Sequence, residues 1–200
     1  MMSKTHLAIG LTASLAIVQP TTFHQCAVAV IGGAVGGVLA DNDLLSDSQA
    51  NALTGQGVAF GIAGIALVLD YLFGFGICQF VMAQPRLSAI GGIVFVLLYV
   101  IGMGFRHRTF THSFIAMILY TAAVSFIYAP ISKAFATAYC SHLFLDVLNK
   151  KKVYLFFPLN CGICLKMCYA NKKANTVFWH IGLGVSCVLL IAGIIESFSV

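Results

Sequence analysis

Long apolar runs constrain this chain more than any other feature of its sequence. Hydrophobic residues make up 60% of the 200 residues and charged residues only 8%, and the mean hydropathy is +0.97. A soluble domain has roughly 45–50% apolar residues, so this chain has too little polar surface to coat a soluble globule. The composition therefore predicts an integral membrane protein.

The apolar runs are candidate membrane helices, because about 20 mostly apolar residues cross a bilayer and shorter helices are tolerated inside a bundle. Pro20, Pro85 and Pro130 lie between runs, as expected of helix breakers. We expect an all-α polytopic membrane helix bundle with about five to seven transmembrane helices, in a single integral membrane domain over residues 1–200. The candidate helices are about 5–19, 26–40, 56–73, 88–104, 113–129, 131–148 and 176–197.

The basic residues predict one orientation in the membrane, since Lys and Arg are enriched in cytoplasmic loops. If Lys4 is cytoplasmic, alternate crossings place nine of the eleven basic residues in the cytoplasm, all but Arg86 and Lys133. The N-terminus is then cytoplasmic, in a plasma or inner membrane. Because the basic residues follow the ends of apolar runs and form no stripe, membrane lipids are expected as partners and nucleic acid is not.

A polar stretch, Phe105–Ser113, interrupts the apolar pattern with two histidines, two arginines and three hydroxyl groups. His107 and His112 are five residues apart, about 140° around a helix, so they cannot share one helix face. A loop followed by a helix start is expected, with Thr111 as the helix cap. Arg106 and Arg108 suit an anionic or phosphate-containing substrate, because guanidinium groups bind phosphate.

Two other places carry ionisable residues at the end of an apolar run. His142 and Asp146 are four residues apart, on one helix face, where both side chains can reach one metal ion. Ionisable groups at membrane depth are costly unless paired, and are typical of functional sites. Asp41 and Asp43 end the second run, where the helix dipole disfavours negative charge, so they indicate a cation nearby.

The predicted topology brings these polar residues to the same, cytoplasmic side of the membrane. His180, near the start of the last run, is a possible addition. Cys161, Cys164 and Cys168 are interpreted as incidental cysteines of a loop, because three thiolates lack a fourth zinc ligand nearby. The candidate metal ligands are His6, Asp41, Asp43, His107, His112, His142 and Asp146.

Four motifs in order make the chain resemble the YdjM-like family of membrane-bound, predicted metal-dependent hydrolases, over about residues 1–160. The family is distantly similar to the zinc-dependent phospholipase C and P1 nuclease group, in which His and Asp residues from several helices bind zinc ions that cleave phosphodiesters. Ala40 and Thr109 stand where the family usually has Pro and Gly, which bears on the shape of the substrate pocket. The motifs are His6-Leu-Ala-Ile-Gly10, Leu39-Ala-Asp41-Asn-Asp43, His107-Arg-Thr-Phe-Thr-His112-Ser113 and Ser141-His142-Leu-Phe-Leu-Asp146.

The resemblance implies a ligand set in which Asp146 is the best match to a metal-bridging carboxylate. The other implied ligands are His6, Asp41 or Asp43, His107 or His112, and His142.

The predicted function is a membrane-embedded, metal-dependent hydrolase that acts on a phosphodiester or lipid-type substrate at the cytoplasmic membrane surface. One or two divalent ions, with zinc expected and manganese as the alternative, would lower the pKa of a bound water to near 7. Arg106 and Arg108 would steady the anionic group, and whichever of Asp41 and Asp43 is not a ligand would be the general base. The alternatives are a non-enzymatic metal or ion transporter, and a membrane scaffold.

Overall fold

The computed structural model describes residues 2–43, 49–167 and 173–199. Within these ranges the protein is all-α, as predicted, and Val153 and Ile163 form an isolated antiparallel bridge. The helices are α1 Ser3–Val18, α2 Phe23–Val38, α3 Gln49–Phe73, α4 Ile77–Ala83, α5 Pro85–Met103, α6 Phe114–Val147 and α7 Lys173–Ser197, and a 3-10 helix, Leu39–Asp43, extends α2.

Five helical segments are long and apolar enough to cross a bilayer, which supports an integral membrane protein. The helix α1 is apolar but shorter, with 16 residues, or about 24 Å at 1.5 Å per residue. The five segments are Phe23–Asp43, Leu53–Phe73, Pro85–Met103, Phe114–Val147 and Lys173–Ser197.

The 34-residue helix α6 is a hairpin of two arms rather than one straight rod. Its backbone is extended at Tyr128, with φ -159° and ψ 102°. His112, just before α6, and His142, near its end, have their Nε2 atoms 3.4 Å apart, whereas a straight helix of this length would extend about 51 Å. The arms 114–127 and 129–147 are therefore antiparallel. The extended backbone at Tyr128 confirms the predicted break near Pro130. The helix breaks there because a proline ring clashes with the helical carbonyl group four residues earlier.

Three details differ from the sequence-based expectation. The helix α3 begins at Gln49 rather than near residue 56. The helix α5 includes Pro85, because proline fits the first helical turn, where its missing N–H is not needed. The short helix α4 was not predicted. The Asp70 carboxylate caps it by accepting hydrogen bonds from the backbone N–H groups of Ile77 and Cys78.

Glycines on two faces of α2 bring α1 and the second arm of α6 into close contact. A Cβ atom built at Gly36 would lie 2.4 Å from the carbonyl oxygen of Phe135, and one at Gly37 would lie 2.8 Å from that of His6. Small residues allow such close approach between membrane helices. The helices α1, α2 and α6 therefore form the centre of the bundle, whereas α3, α5 and α7 lie outside it with largely exposed apolar side chains.

Candidate metal centre

Four segments bring seven histidine and aspartate side chains together at one end of the bundle. The first turns of α1, the 3-10 helix, the loop before α6 and the last turns of α6 each contribute. All of these side chains are buried except that of His107, which is 30% exposed. The seven residues are His6, Asp41, Asp43, His107, His112, His142 and Asp146, the set expected from the sequence.

Three potential ligand atoms lie around the Nε2 atom of His112, which would be the fourth. This nitrogen lies 3.4 Å from Nε2 of His142, 3.3 Å from Oδ2 of Asp146 and 3.7 Å from Oδ1 of Asp41. The Nε2 atom of His142 lies 3.6 Å from the same Asp41 oxygen. In a tetrahedral zinc site with bonds of about 2.0–2.1 Å, ligand atoms are roughly 3.3–3.4 Å apart. These four distances are therefore close to the spacing of ligand atoms around a tetrahedral ion.

His6 adds a fifth group whose hydrogen-bonding capacity is unused in the described structure. Its ring stacks on that of His142 with centroids 3.8 Å apart, and its Nε2 lies 3.4 Å from Oδ1 of Asp146. Both of its ring nitrogens are fully buried without a hydrogen-bond partner. Because buried polar atoms are nearly always paired, these nitrogens fit a metal ligand better than a packing residue.

Hydrogen bonds on the far side of two imidazole rings orient their Nε2 atoms. His142 Nδ1 lies 2.8 Å from the carbonyl oxygen of Gly37. A carbonyl only accepts, so Nδ1 donates, and the neutral ring carries its lone pair on Nε2. His112 Nδ1 lies 3.2 Å from Oδ2 of Asp43, which favours the same tautomer. Such partners are typical of metal-binding histidines, because they fix the ring and make the ligand more basic.

The two aspartates of the 3-10 helix have different surroundings. Asp41 faces the Nε2 atoms, and its second oxygen accepts a hydrogen bond of 3.0 Å from the Ser3 hydroxyl. Asp43 instead faces His107 Nδ1 at 2.7 Å and the backbone N–H of Arg108 at 3.0 Å. Asp43 thus contacts the loop and two histidine rings, in a group with His107 and His112 that could itself hold an ion, whereas Asp41 belongs to the group of His6 and His142.

The two predicted arginines also differ. Arg106 is exposed, whereas Arg108 is buried and lies with Nη2 3.2 Å from Oδ2 of Asp146. Arg108 also donates through Nη1 to the Lys151 carbonyl oxygen. The carboxylates of the centre outnumber this one guanidinium. A divalent cation suits such an acidic buried place, since buried charges must be paired.

The pKa of His112, in the loop outside the membrane segments, reflects this charge imbalance. Burial opposes protonation, but the carboxylates of Asp43, Asp146 and Asp41 raise the pKa of His112 well above its ordinary value. This direction favours an imidazolium as counter-ion in the metal-free protein. A bound metal must displace this proton.

Some residues of the centre were not found from the sequence. Ser113, not Thr111, caps α6, because its hydroxyl accepts a hydrogen bond of 3.2 Å from Ala116 N–H. The Thr111 hydroxyl instead donates to Asp43 at 2.5 Å. The roles of Ser3 and of the Gly37 carbonyl had no sequence signal, because a small hydroxyl or a backbone oxygen becomes recognisable only when its partner is known.

Two other sequence candidates do not join the centre within the described residues. His180 is exposed on α7 and its Nδ1 lies 2.8 Å from the carbonyl oxygen of Thr176, in its own helix. Cys161 is exposed and Cys164 half-buried, both as free thiols, whereas Cys168 lies outside the described residues.

A comparison with protein families matches residues 1–197 to the YdjM inner membrane protein family. The chain belongs to this family. The match confirms the resemblance carried by the four motifs and extends it through α7. Searches of curated proteins and of solved structures found no match. Membership of this family therefore supports an integral membrane protein. The evidence for His and Asp groups that could hold a metal ion is the geometry described above.

Proposed function

We propose that this YdjM family member is a membrane-embedded, metal-dependent hydrolase that cleaves a phosphodiester or lipid-type substrate at the cytoplasmic membrane surface. The proposal rests on one observation: the Nε2 atoms of His6, His112 and His142 point, with Asp41 and Asp146, at a common buried space. Histidine and carboxylate side chains are among the ligand types that bind catalytic zinc.

Asp146 is the proposed bridging carboxylate. Its Oδ2 faces His112 and its Oδ1 faces His6, so each oxygen could serve a different ion. Three groups within the described residues could hold an ion: His142 belongs to two, with His6 and Asp41 in one and with His112 and Asp146 in the other, and Asp43, His107 and His112 form the third. When bound, zinc or manganese would supply a water of lowered pKa and polarise a phosphoryl oxygen.

Proton transfer is assigned to the pair of Asp43 and His107. Their contact is 2.7 Å, and His107 is the half-exposed member, so it can meet water and substrate at the edge of the centre. Asp43 orients the imidazole as carboxylates do in His-based proton relays. Arg106, which is exposed, steadies the anionic group, and Arg108 positions Asp146.

The centre is proposed to face the cytoplasm. Lys150, Lys151 and Lys152 are exposed beside it, and the positive-inside rule places such a run in the cytoplasm. Lysines near an anionic membrane surface each contribute about 1 kcal/mol of attraction, which would keep this end of the bundle against the head groups. A lipid or another phosphate-containing substrate would approach from that layer.

The test is metal analysis followed by a hydrolysis assay. The protein is purified with zinc or manganese supplied, and the bound metal is measured for wild type, His142→Ala and Asp146→Ala. His180→Ala is the matched control, because this histidine is exposed on α7. Each metal-loaded protein is then incubated with bis(4-nitrophenyl) phosphate and with phospholipid vesicles.

Near-stoichiometric metal and hydrolysis in wild type and His180→Ala, both lost in the other two variants while they remain folded, would support the proposal. Bound metal without hydrolysis of either substrate would reject the proposed hydrolase and indicate a metal-binding membrane protein instead. No bound metal in wild type would reject the whole mechanism.

A further inference from the structure

An apolar groove runs along the bundle beside the candidate metal centre. Its volume is about 740 Å³, and residues of α2 through α6 line it. Most of the lining belongs to α3, α4 and α6, and α5 contributes Phe95. On α3, Phe60, Leu67 and Val68 line the groove and are also exposed on the protein surface. Since this surface belongs to membrane helices, the groove opens sideways into the bilayer.

One turn beyond the groove, a hydrogen-bonded pair joins α3 and α5. Phe60 and Phe95 line the groove, and one turn further lie Gln56 on α3 and Tyr99 on α5. Residues four apart share a helix face, so these polar side chains follow directly after the last apolar ones. The Tyr99 hydroxyl donates to Oε1 of Gln56 at 3.0 Å. The change from apolar to polar lining occurs within one helical turn.

Asn42 connects this pair to the metal centre. It lies between the two aspartates of the 3-10 helix and donates through Nδ2 to the Tyr99 carbonyl oxygen at 2.9 Å. Two buried polar atoms at this junction have no hydrogen-bond partner within the described residues: Nε2 of Gln56 and Oδ1 of Asn42. An unpaired buried donor and acceptor are costly. They can pair with a polar group that enters between the groove and the centre.

The dimensions of the groove select its occupant. Along α3 its lining extends from Phe60 to Leu72, about 18 Å at 1.5 Å per residue. Its length and its apolar lining therefore suit a flexible hydrocarbon chain that enters from the bilayer.

The position of the groove fits a lipid whose head group is at the metal centre. Val35, on α2, lies at its inner end, and Asp41 follows six residues later, or about 9 Å along the axis. A chain in the groove would therefore begin below the head-group level and extend towards the opposite face of a core that is about 30 Å thick.

We propose that this groove, lined mainly by α3, α4 and α6, binds a hydrocarbon chain of a lipid substrate, and that Gln56 and Asn42 contact the polar linkage between that chain and the head group. The proposal deepens the proposed function by making the substrate a lipid phosphodiester that enters laterally from the bilayer. A lipid chain is the occupant that the bilayer itself supplies, and an unfilled void of this size would lose dispersion contacts along its whole lining.

The experiment uses the full chain in vesicles of phosphatidylethanolamine and phosphatidylglycerol, doped with phosphatidylglycerol that carries a diazirine midway along one acyl chain. After irradiation, the labelled residues are mapped by mass spectrometry. Gly64→Leu fills the groove, and Gly61→Leu is its matched control. A Cβ atom at either glycine meets no heavy atom within 4 Å, but only Gly64 lines the groove. Metal content is measured on the same samples.

We expect labels concentrated on the groove lining of wild type, reduced several-fold in Gly64→Leu and unchanged in Gly61→Leu, with equal metal content in all three proteins. Labels spread evenly over the exposed faces of α3, α5 and α7, or unchanged in Gly64→Leu, would overturn the groove. Groove labelling without bound metal would refute the proposed enzyme and retain the lipid site. Bound metal and hydrolysis without groove labelling would refute the lipid site and retain the proposed enzyme.

Discussion

The two sides of this bundle are packed in opposite ways. Around α2, glycines bring neighbouring backbones so close that a Cβ atom at Gly33 would lie 2.8 Å from the Ser14 side chain. Along α3, Cβ atoms at Gly57, Gly61 and Gly64 would meet open space. The same residue type therefore serves close packing on one side of the bundle and leaves room for lipid on the other.

This difference follows from the bilayer as a solvent. Lipid chains are as apolar as leucine, so membrane helices gain little by hiding apolar surface, and close packing through small residues supplies the attraction. The helices α1, α2 and α6 have that packing, and every proposed metal ligand except the loop residue His112 lies on them or on the 3-10 helix that extends α2. A metal centre needs this rigidity, because ligand positions must be held within about 0.5 Å.

The first prediction, with the largest expected effect, compares the stability of two glycine-to-alanine variants, one on each side of the bundle. Gly36→Ala places a Cβ 2.4 Å from a backbone oxygen, so a helix must shift, and we expect a loss of more than about 4 kcal/mol or no folded protein. Gly61→Ala should be neutral or stabilise by up to about 1 kcal/mol, because alanine restricts the unfolded chain. Thermal unfolding in detergent measures both; similar transition temperatures would contradict the contrast.

Much of the fold could be predicted from the sequence, because hydrophobic length and proline position act locally. The seven apolar runs correspond to α1, α2, α3, α5, the two arms of α6, and α7. The short helix α4 was missed because its cap comes from Asp70, seven residues before Ile77, within the preceding helix. A capping residue seven positions before the helix is not part of the local sequence pattern by which a helix start is recognised.

The residues that form the metal centre could be predicted from the sequence, but the role of each residue could not. His142 and Asp146 share a helix face, and that relation is readable as a spacing of four. Asp41 and Asp43 are chemically identical and two residues apart, so only the path of the 3-10 helix assigns one to the Nε2 atoms and the other to His107. Sequence spacing carries no information on that choice.

The second prediction separates ligands from orienting residues at the metal centre. Asp146→Asn removes a proposed ligand and should weaken zinc binding by more than about 100-fold, whereas Asp43→Asn removes a partner of His112 and should cost about 10–100-fold. Competition with a chromophoric chelator measures both affinities. A larger loss in Asp43→Asn would exchange the roles of the two carboxylates.

The third prediction concerns pH. The pKa of His112 is raised in the metal-free protein by Asp43, Asp146 and Asp41 despite burial, so near neutral pH zinc must displace its proton. The apparent zinc affinity should therefore fall as pH decreases, by about tenfold per unit for one proton. Calorimetric titrations in two buffers of different ionisation enthalpy count the released protons. An affinity that does not change between pH 6 and 7 would show that His112 is not protonated without metal.

The fourth prediction, with the smallest expected effect, tests whether the outer helix α7 influences the metal centre. Asn175, at the start of α7, accepts hydrogen bonds through Oδ1 from Thr5 Oγ1 at 2.9 Å and from Met2 N–H at 3.0 Å. Asn175→Ala leaves the buried Thr5 hydroxyl without its side-chain acceptor, so we expect a loss of about 1–3 kcal/mol. Thr176→Ala, at the exposed neighbouring position, should change stability by no more than about 0.5 kcal/mol.

Zinc occupancy should be the same in Asn175→Ala and Thr176→Ala, although Thr5 precedes His6 directly. The ring of His6 stacks on His142, and its helix backbone lies against Gly37, so α2 and α6 hold this ligand without help from α7. Reduced zinc content in Asn175→Ala alone would mean that α7 sets the position of His6. The helices that hold the metal centre in place would then include α7 as well as α1, α2 and α6.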